Sequence, residues 1–110
     1  MFRNKAGEEI TMEEAERMMR QDRIEVGYDE MAWNGGKLLV HTRLQPVWLH
    51  RGEPLFKTLV MGDSSLGTMD YATNSEDEAV HLHRALVNRY RAIEEQRQRG
   101  VHESLLDGAL

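Results

Sequence analysis

The chain contains no cysteine, only two prolines and few aromatic residues. Without cysteine neither a disulfide framework nor a thiolate metal site can form, which favours a reducing compartment. Apolar runs extend over a few residues at most, as in Leu38-Leu39-Val40, and a membrane span needs many more. The N-terminal residues also lack the apolar stretch of a signal peptide. These absences predict a cytoplasmic protein without membrane contact.

The net charge of −5 excludes another large class of functions. Proteins that bind a nucleic-acid polymer need a basic face for the phosphate backbone, so no such polymer is expected as a partner. A small nucleotide in a local pocket remains compatible with this charge. The length of 110 residues predicts one domain, residues 1–110, with one modest core.

The sequence contains two helix start signals, one near the N-terminus and one at Ser75. Residues 1–9 are polar and are predicted to be mobile. Thr11 followed by Glu14 forms a capping box, which predicts a first helix over residues 11–22. Ser75 followed by Glu78 forms a second one, which predicts a long helix over residues 76–98 with Gly100 as its stop.

Between the helices, apolar and polar residues alternate as they do in strands. Asn34-Gly35-Gly36 supplies the positive φ angles of a hairpin turn. Pro46 predicts a bulge or an edge, with residues 47–50 continuing the strand before it. The predicted strands begin at Ile24 and then cover residues 37–44, 55–61 and 68–73, with a loop at residues 62–65.

These patterns predict an α+β fold. A short antiparallel meander of three to four strands packs against the long C-terminal helix, and a short helix precedes the sheet. The apolar stripe of the long helix contains Ala79, Leu82, Leu86 and Ile93. The tail over residues 100–110 carries Leu105, Leu106 and Leu110, which we expect to pack either on the body of the protein or on a second subunit as an oligomer contact.

Catalytic and metal patterns are weak. His81 and His83 are two residues apart, so on a helix they point in nearly opposite directions and cannot chelate one ion. Ser64 and Ser65 lack the glycine pattern around a nucleophile. We therefore expect no enzyme, no metal and no cofactor. The favoured interpretation of His83 is a half-buried histidine with a backbone partner, and a ligand contact is the alternative.

Aromatic and basic residues on the predicted strands suggest binding instead. Trp48 lies beside the proline-interrupted strand and is either core or a stacking surface for a base. Arg43 and Lys57 lie in strands, where each faces solvent or an anion.

Four motifs follow one another from Val40 onward. They are Val40-His41-Thr42, Pro54-Leu55-Phe56-Lys57-Thr58-Leu59-Val60-Met61, Tyr71-Ala72-Thr73 and Asp77-Glu78-Ala79-Val80-His81-Leu82-His83. In order and spacing they resemble a family of small phage proteins with the patterns Val-Ser-Thr, Pro-Leu-x-Phe-Glu-Thr-Met-Val-Phe, Tyr-Ser/Ala-Thr and Glu-Glu-Ala-Leu-x-Gly-His. Thr58, Tyr71 and His83 match in type and place, whereas Lys57 stands where the family has glutamate.

The resemblance implies a function by analogy. Small phage proteins of this size and build include anti-defence proteins, homo-oligomers that sequester nucleotide signals of bacterial immunity between their subunits. The resulting hypothesis is a non-enzymatic protein of the host cytoplasm that binds such a signal in an inter-subunit pocket. The alternative is an interaction module that inhibits a host or phage protein directly. The candidate ligand-binding residues are Arg43, Trp48, Lys57, Tyr71, His83 and Arg84.

Overall fold

The structure is a computed structural model that describes residues 1–50, 52–62 and 67–108, with only the backbone of residues 101–108. Its elements in chain order are β1 (Phe2–Arg3), β2 (Glu9–Ile10), α1 (Met12–Arg20), β3 (Glu25–Trp33), β4 (Gly36–Leu44), β5 (Phe56–Met61), β6 (Thr68–Thr73) and α2 (Glu76–Gly108). The four longer strands form an antiparallel sheet in the order β3-β4-β5-β6. The predicted α+β meander with a long C-terminal helix is therefore confirmed.

The helix starts follow the capping chemistry. The Thr11 hydroxyl accepts a hydrogen bond from the Glu14 N–H, and the Glu14 carboxylate accepts one from the Thr11 N–H. At the start of α2, the Ser75 hydroxyl accepts a hydrogen bond from the Glu78 N–H at 3.1 Å. Both helices thus begin where the sequence predicts.

The β3–β4 hairpin turns at the predicted residues. Trp33 pairs with Gly36 in register, so Asn34 and Gly35 are the two turn residues. Their φ angles are 48° and 82°, as a type I′ turn requires. The tight turn fixes which residues of β4 oppose those of β3 and thereby which side chains share a face.

Helix α2 covers one face of the sheet. Alternate residues of β4 and β5 point toward it and are fully buried, while α2 contributes its own buried side chains. The apolar core between these layers contains Leu38, Val40, Leu44, Phe56, Val60, Ala79, Leu86, Val87 and Tyr90. Met18 of α1 packs on the same side, against the cluster that contains Leu44 and Phe56.

The segments around the sheet differ in part from the prediction. Residues 1–10 contribute β1 and β2, which pair with each other, and the mobility of residues 1–9 stays a prediction. The strand before Pro46 ends at Leu44, and beyond it only Val47 forms an isolated bridge, to Phe2. The sheet does contain a register shift, but it lies in β3 between Glu25 and Gly27 and not at Pro46. Within the predicted loop over residues 62–65, residues 63–65 lie outside the described part of the chain.

Helix α2 also passes its predicted end. It continues through Gly100 to Gly108, since Gly100 keeps helical φ and is not used as a left-handed cap. The prediction of a stop at Gly100 is therefore wrong. The predicted apolar contacts of Leu105, Leu106 and Leu110 lie outside the described side chains.

Candidate functional site

The sheet face opposite α2 carries polar and charged side chains from all four strands. In the paired register, side chains of this face come from alternate positions on all four strands, and they are half-buried or exposed. We call this surface the open face. Its members are Glu25, Tyr28, Glu30, Ala32, Lys37, Leu39, His41, Arg43, Lys57, Leu59, Met61, Thr68, Asp70 and Ala72.

Two cations lie side by side on the open face. Arg43 of β4 is the register partner of Lys57 of β5, which brings their Cβ atoms to within about 5.5 Å. Arg43 is exposed and Lys57 is half-buried. None of the ion pairs found among the described residues includes either cation. Like charges directly opposite each other destabilise a sheet, so this pair leaves a position that suits an anion.

Glu25, the acidic residue in the same row across the sheet, already has an ion-pair partner. Glu25 is the register partner of Arg43 on the other side, and its Oε1 lies 3.3 Å from Nε2 of His41. The row across the sheet therefore runs from one acid to two adjacent cations and ends at Ala72.

Aromatic rings adjoin the cations. His41 and Tyr28 are register partners whose rings meet edge to face at 5.4 Å. The Tyr28 hydroxyl donates a 2.7 Å hydrogen bond to Oε1 of Glu30. That bond is the main reason that the pKa of Tyr28 is raised, and desolvation and the charges of Glu30 and Glu25 add to it. Tyr28 is 50% exposed, so it offers a ring surface to a ligand.

The six predicted site residues do not share one surface within a single chain. Arg43 and Lys57 come together on the open face. Trp48 lies in the β4–β5 connection and lines a separate cleft of about 460 Å³ with His50 and Met1. Arg84 is exposed on α2, which packs against the other face of the sheet.

Tyr71 and His83 belong to the side of the sheet that α2 covers. Tyr71 is the register partner of Thr58 and packs against the larger apolar cluster. It contributes, after desolvation, to a raised pKa of Tyr90. His83 is 6% exposed and enters a chain of side-chain hydrogen bonds. Its partners are thus side chains and not the predicted backbone group.

This series of side-chain hydrogen bonds connects α2 to three strands. Nε2 of His83 lies 2.7 Å from Oδ2 of Asp29, and Nδ1 lies 2.8 Å from Oγ1 of Thr42. The Thr42 and Thr58 hydroxyls are 2.7 Å apart. Gly27 permits the approach, because a Cβ there would lie 2.8 Å from the imidazole ring. We call these four side chains, Asp29, His83, Thr42 and Thr58, the histidine chain.

The histidine chain contains the acid, histidine and hydroxyl groups of a catalytic triad, but its hydroxyls are not accessible to a substrate. Thr42 and Thr58 are both 0% exposed, so a substrate cannot reach either hydroxyl. For a neutral imidazole one proton arrangement satisfies these contacts: Thr58 donates to Thr42, Thr42 donates to Nδ1 of His83, and Nε2–H donates to Asp29. The arrangement is suited to holding α2 on the sheet.

Arg3 was not anticipated from the sequence. Its guanidinium donates to the carbonyls of Gln45, Glu53 and Pro54 and lies over the Trp48 ring at 5.6 Å. Burial lowers the pKa of Arg3, and the charge of Glu53 partly offsets this. A single arginine in a polar terminus gives no signal of such a role.

Among the described residues, no group of three or more His, Asp or Glu side chains is placed to hold a metal ion. Likewise, no helix in the described part of the chain is long and apolar enough to cross a membrane. Comparison with descriptions of protein families, with curated proteins and with solved structures gives no match. The resemblance to small phage proteins therefore stays a prediction.

Proposed function

We propose that this protein is a non-enzymatic binding protein that captures a phosphate-bearing, nucleotide-derived ligand on its open face. The observation that carries the proposal is the adjacent pair Arg43 and Lys57, which has no acid partner among the described ion pairs. A phosphate between them would remove the repulsion of like charges and gain charge-assisted hydrogen bonds.

The neighbouring side chains suit the rest of a nucleotide. Arg43 can bind two phosphate oxygens at once, whereas Lys57 supplies a point charge. The Tyr28 ring is exposed beside His41 and offers a face on which a base can stack. Leu59 follows Lys57 on the same face and gives the ligand an apolar contact. In this arrangement Tyr28 takes the stacking role that the sequence suggested for Trp48.

A second copy of the chain would complete the pocket. Small-molecule sites bury most of the ligand surface, and a sheet face contacts a ligand from one side only. We therefore propose a homo-oligomer in which the partner covers the open face. The tail over residues 100–110 is the proposed oligomer contact. By analogy with the phage proteins, the proposed role is to sequester a nucleotide immune signal in the host cytoplasm as an anti-defence protein.

Capture without turnover is part of the proposal. The acid–histidine–hydroxyl arrangement in the described residues has both hydroxyls fully buried, which supports binding over catalysis. Accordingly, a captured nucleotide should be recovered chemically unchanged when the protein is denatured. Chromatography of the released ligand after long incubation would detect turnover.

Thermal unfolding with a panel of cyclic dinucleotides, cyclic ADP-ribose isomers and linear nucleotides tests the proposal. A ligand at a hundred times its Kd stabilises the folded protein by about 2.7 kcal/mol and raises Tm. Arg43→Ala and Lys57→Ala should each remove the shift. Arg84→Ala is the matched control, because it deletes an exposed arginine outside the open face and should keep the shift.

Two results would contradict this function. One is the absence of a shift with every nucleotide of the panel. The other is a shift that Arg43→Ala and Lys57→Ala leave unchanged, since the ligand would then bind elsewhere. The second candidate function, an interaction module that inhibits a host or phage protein, is favoured by a separate feature at the edge of the sheet.

A further inference from the structure

Strand β3 is an unprotected edge next to a helix. It is the outer strand of the sheet, and β4 is its only neighbour in the described sheet. Over its C-terminal half, residues 28–33 pair with β4 without interruption. An edge strand presents alternate N–H and C=O groups to solvent, and these can pair with another extended chain. No described residue forms a backbone hydrogen bond with the outer side of this half.

A groove runs between this edge and α2. It has a volume of about 500 Å³, with Met31 and Ala32 on the strand side and Arg91, Glu95 and Arg99 on the helix side. A second depression of about 310 Å³ adjoins the same Met31 and Ala32. Open space therefore flanks Met31 and Ala32 on both faces of the sheet. The outward N–H and C=O groups of this half belong to Tyr28, Glu30 and Ala32, because Trp33 and Gly36 close the two-residue hairpin.

The helix side of the groove is basic at both ends. Arg99 is exposed and belongs to none of the described ion pairs, and Arg91 reaches Asp29 only at 3.8 Å with its side chain 53% exposed. The negative charge of Glu94 is offset by Arg97, whose guanidinium donates to its carboxylate, and Gln98 and the Asn34 N–H donate to the same carboxylate. Glu95 lies midway between the two arginines in sequence.

The spacing of these charges defines a partner. Arg91 and Arg99 are eight residues apart on α2, which corresponds to about 12 Å along the helix axis. An extended chain covers this distance in about four residues, and residues four apart point to the same side of a strand. Two acids four residues apart would therefore meet the two arginines. The residue midway between them would lie over Met31 and near Glu95, where an aliphatic side chain fits and an acid is repelled.

The same charges disfavour a second copy at this edge. Antiparallel pairing of β3 with β3 of a partner about a two-fold axis would place the two α2 helices side by side. Arg91 would then face Arg99 of the partner subunit, and Glu95 would face its own counterpart. Like charges in such pairs oppose association. The partner is accordingly a different chain.

We infer that the groove between β3 and α2 binds an extended acidic peptide as a fifth strand of the sheet. The peptide has the pattern acid-x-aliphatic-x-acid, with main-chain hydrogen bonds to β3 and its two carboxylates at Arg91 and Arg99. This site is separate from the open face. It goes beyond the proposed ligand capture, so either can fail without the other.

A capped synthetic peptide containing Glu-Val-Leu-Val-Glu tests the inference with the full-length protein. Titration followed by NMR should shift the β3 amides around Met31 and Ala32, and amide exchange should slow on the outer side of β3. Fluorescence polarisation supplies the Kd. The same peptide with lysine in place of both glutamates should not bind. In an antiparallel fifth strand the two valines direct their N–H groups to β3, so proline at both valine positions removes these main-chain donors and should weaken binding.

Matched variants test the charge assignment. The double variant R91Q/R99Q should weaken peptide binding about tenfold, as expected for two exposed charge pairs. Arg89→Gln removes an exposed arginine of α2 that does not line the groove and should leave the Kd unchanged. Thermal unfolding of each variant confirms that it is folded. Variants of Arg43 and Lys57 should bind the peptide as the parent does.

The inference is overturned by an absence of binding at millimolar peptide. It is equally overturned if the amide shifts lie outside β3 and α2, or if R91Q/R99Q and Arg89→Gln have the same effect. A nucleotide-induced rise in Tm bears on the open face alone, so the two proposals are distinguished.

Discussion

At Thr42 a single hydroxyl has two hydrogen-bonding neighbours, and both are buried. It lies 2.7 Å from the Thr58 hydroxyl and 2.8 Å from Nδ1 of His83. Water cannot replace a lost partner there, because Thr42 and Thr58 are fully buried. Replacement of Thr42 should therefore lower the free energy of unfolding more than replacement of Thr58, which lies at the end of the histidine chain.

Replacement of each threonine by valine tests this order. Thr42→Val keeps the side-chain shape but leaves both the Thr58 hydroxyl and Nδ1 of His83 without a partner. Each buried group left unsatisfied costs about 1–3 kcal/mol. Thr58→Val removes only the terminal donor, since Thr42 can still donate to His83, and should cost about 0.5–1.5 kcal/mol. Urea unfolding gives the two free energies.

The double variant T42V/T58V is the control. In the Thr42→Val background the Thr58 hydroxyl is already unpartnered, so its removal should be neutral or stabilising. Equal effects of the two single changes, or full additivity in the double variant, would contradict the assigned chain of hydrogen bonds.

Glu94 joins two elements, α2 and the β3–β4 hairpin. Its carboxylate accepts the Asn34 N–H at 3.0 Å, at a turn residue with positive φ, and it also accepts from Arg97 and Gln98. The Arg97 guanidinium in turn lies 4.4 Å from the centre of the Trp33 ring. These contacts lower the pKa of Glu94, with the Asn34 N–H as the largest cause, despite an opposing effect of burial.

The lowered pKa predicts how stability changes with pH. A carboxyl group with a lower pKa in the folded than in the unfolded state stabilises the fold above its unfolded pKa of about 4.3. That contribution is lost as the pH falls through the folded pKa. Glu94→Gln cannot titrate, so its Tm should lie furthest below that of the parent at neutral pH and approach it toward pH 3. Thermal unfolding across this pH range measures the difference.

Glu95→Gln is the matched control on the same helix. Glu95 is exposed and makes none of the contacts of Glu94. Its replacement should change Tm little across the range. A difference between parent and Glu94→Gln that stays constant with pH would show that the carboxylate charge is not what holds the hairpin on α2.

The whole molecule is elongated because α2 is longer than the sheet it covers. The extents are 67 × 24 × 21 Å, and the Cα radius of gyration of 18.3 Å exceeds the roughly 13 Å of a compact chain of this length. The 33 residues of α2 extend over about 50 Å. Within residues 76–100 of α2, the last side chain with a described hydrogen bond is Gln98.

A variant truncated after Arg99 tests whether residues 100–110 contribute to the stability of the fold. We expect its free energy of unfolding to stay within about 0.5 kcal/mol of the parent, as for surface changes away from packed features. Small-angle scattering should give a smaller radius of gyration. If residues 100–110 form the proposed oligomer contact, light scattering should show a monomer where the parent is an oligomer. Loss of folding would show that these residues support the core.

Local chemistry determined the elements of this protein. Three of these local features are the capping box at Thr11, the N-cap hydrogen bond at Ser75 and the Asn34-Gly35 turn. They act through neighbouring backbone groups, so they can be recognised from sequence order alone. Period-two alternation likewise placed Arg43 and Lys57 in strands. That these two residues oppose each other depends on register, which is set by contacts between residues far apart in sequence.

Only the tertiary structure decided which polar residues are buried and where α2 ends. The apolar stripe predicted Ile93 for the core, but Ile93 is 37% exposed while Glu94 is buried, because Glu94 meets the hairpin turn. His83 and Arg3 acquired partners about 40 to 50 residues away, which no local pattern encodes. Gly100 was predicted to end α2 from its residue type, yet its helical φ continues the helix. The sequence by itself determined the order of elements, whereas packing between them determined the surfaces that can bind.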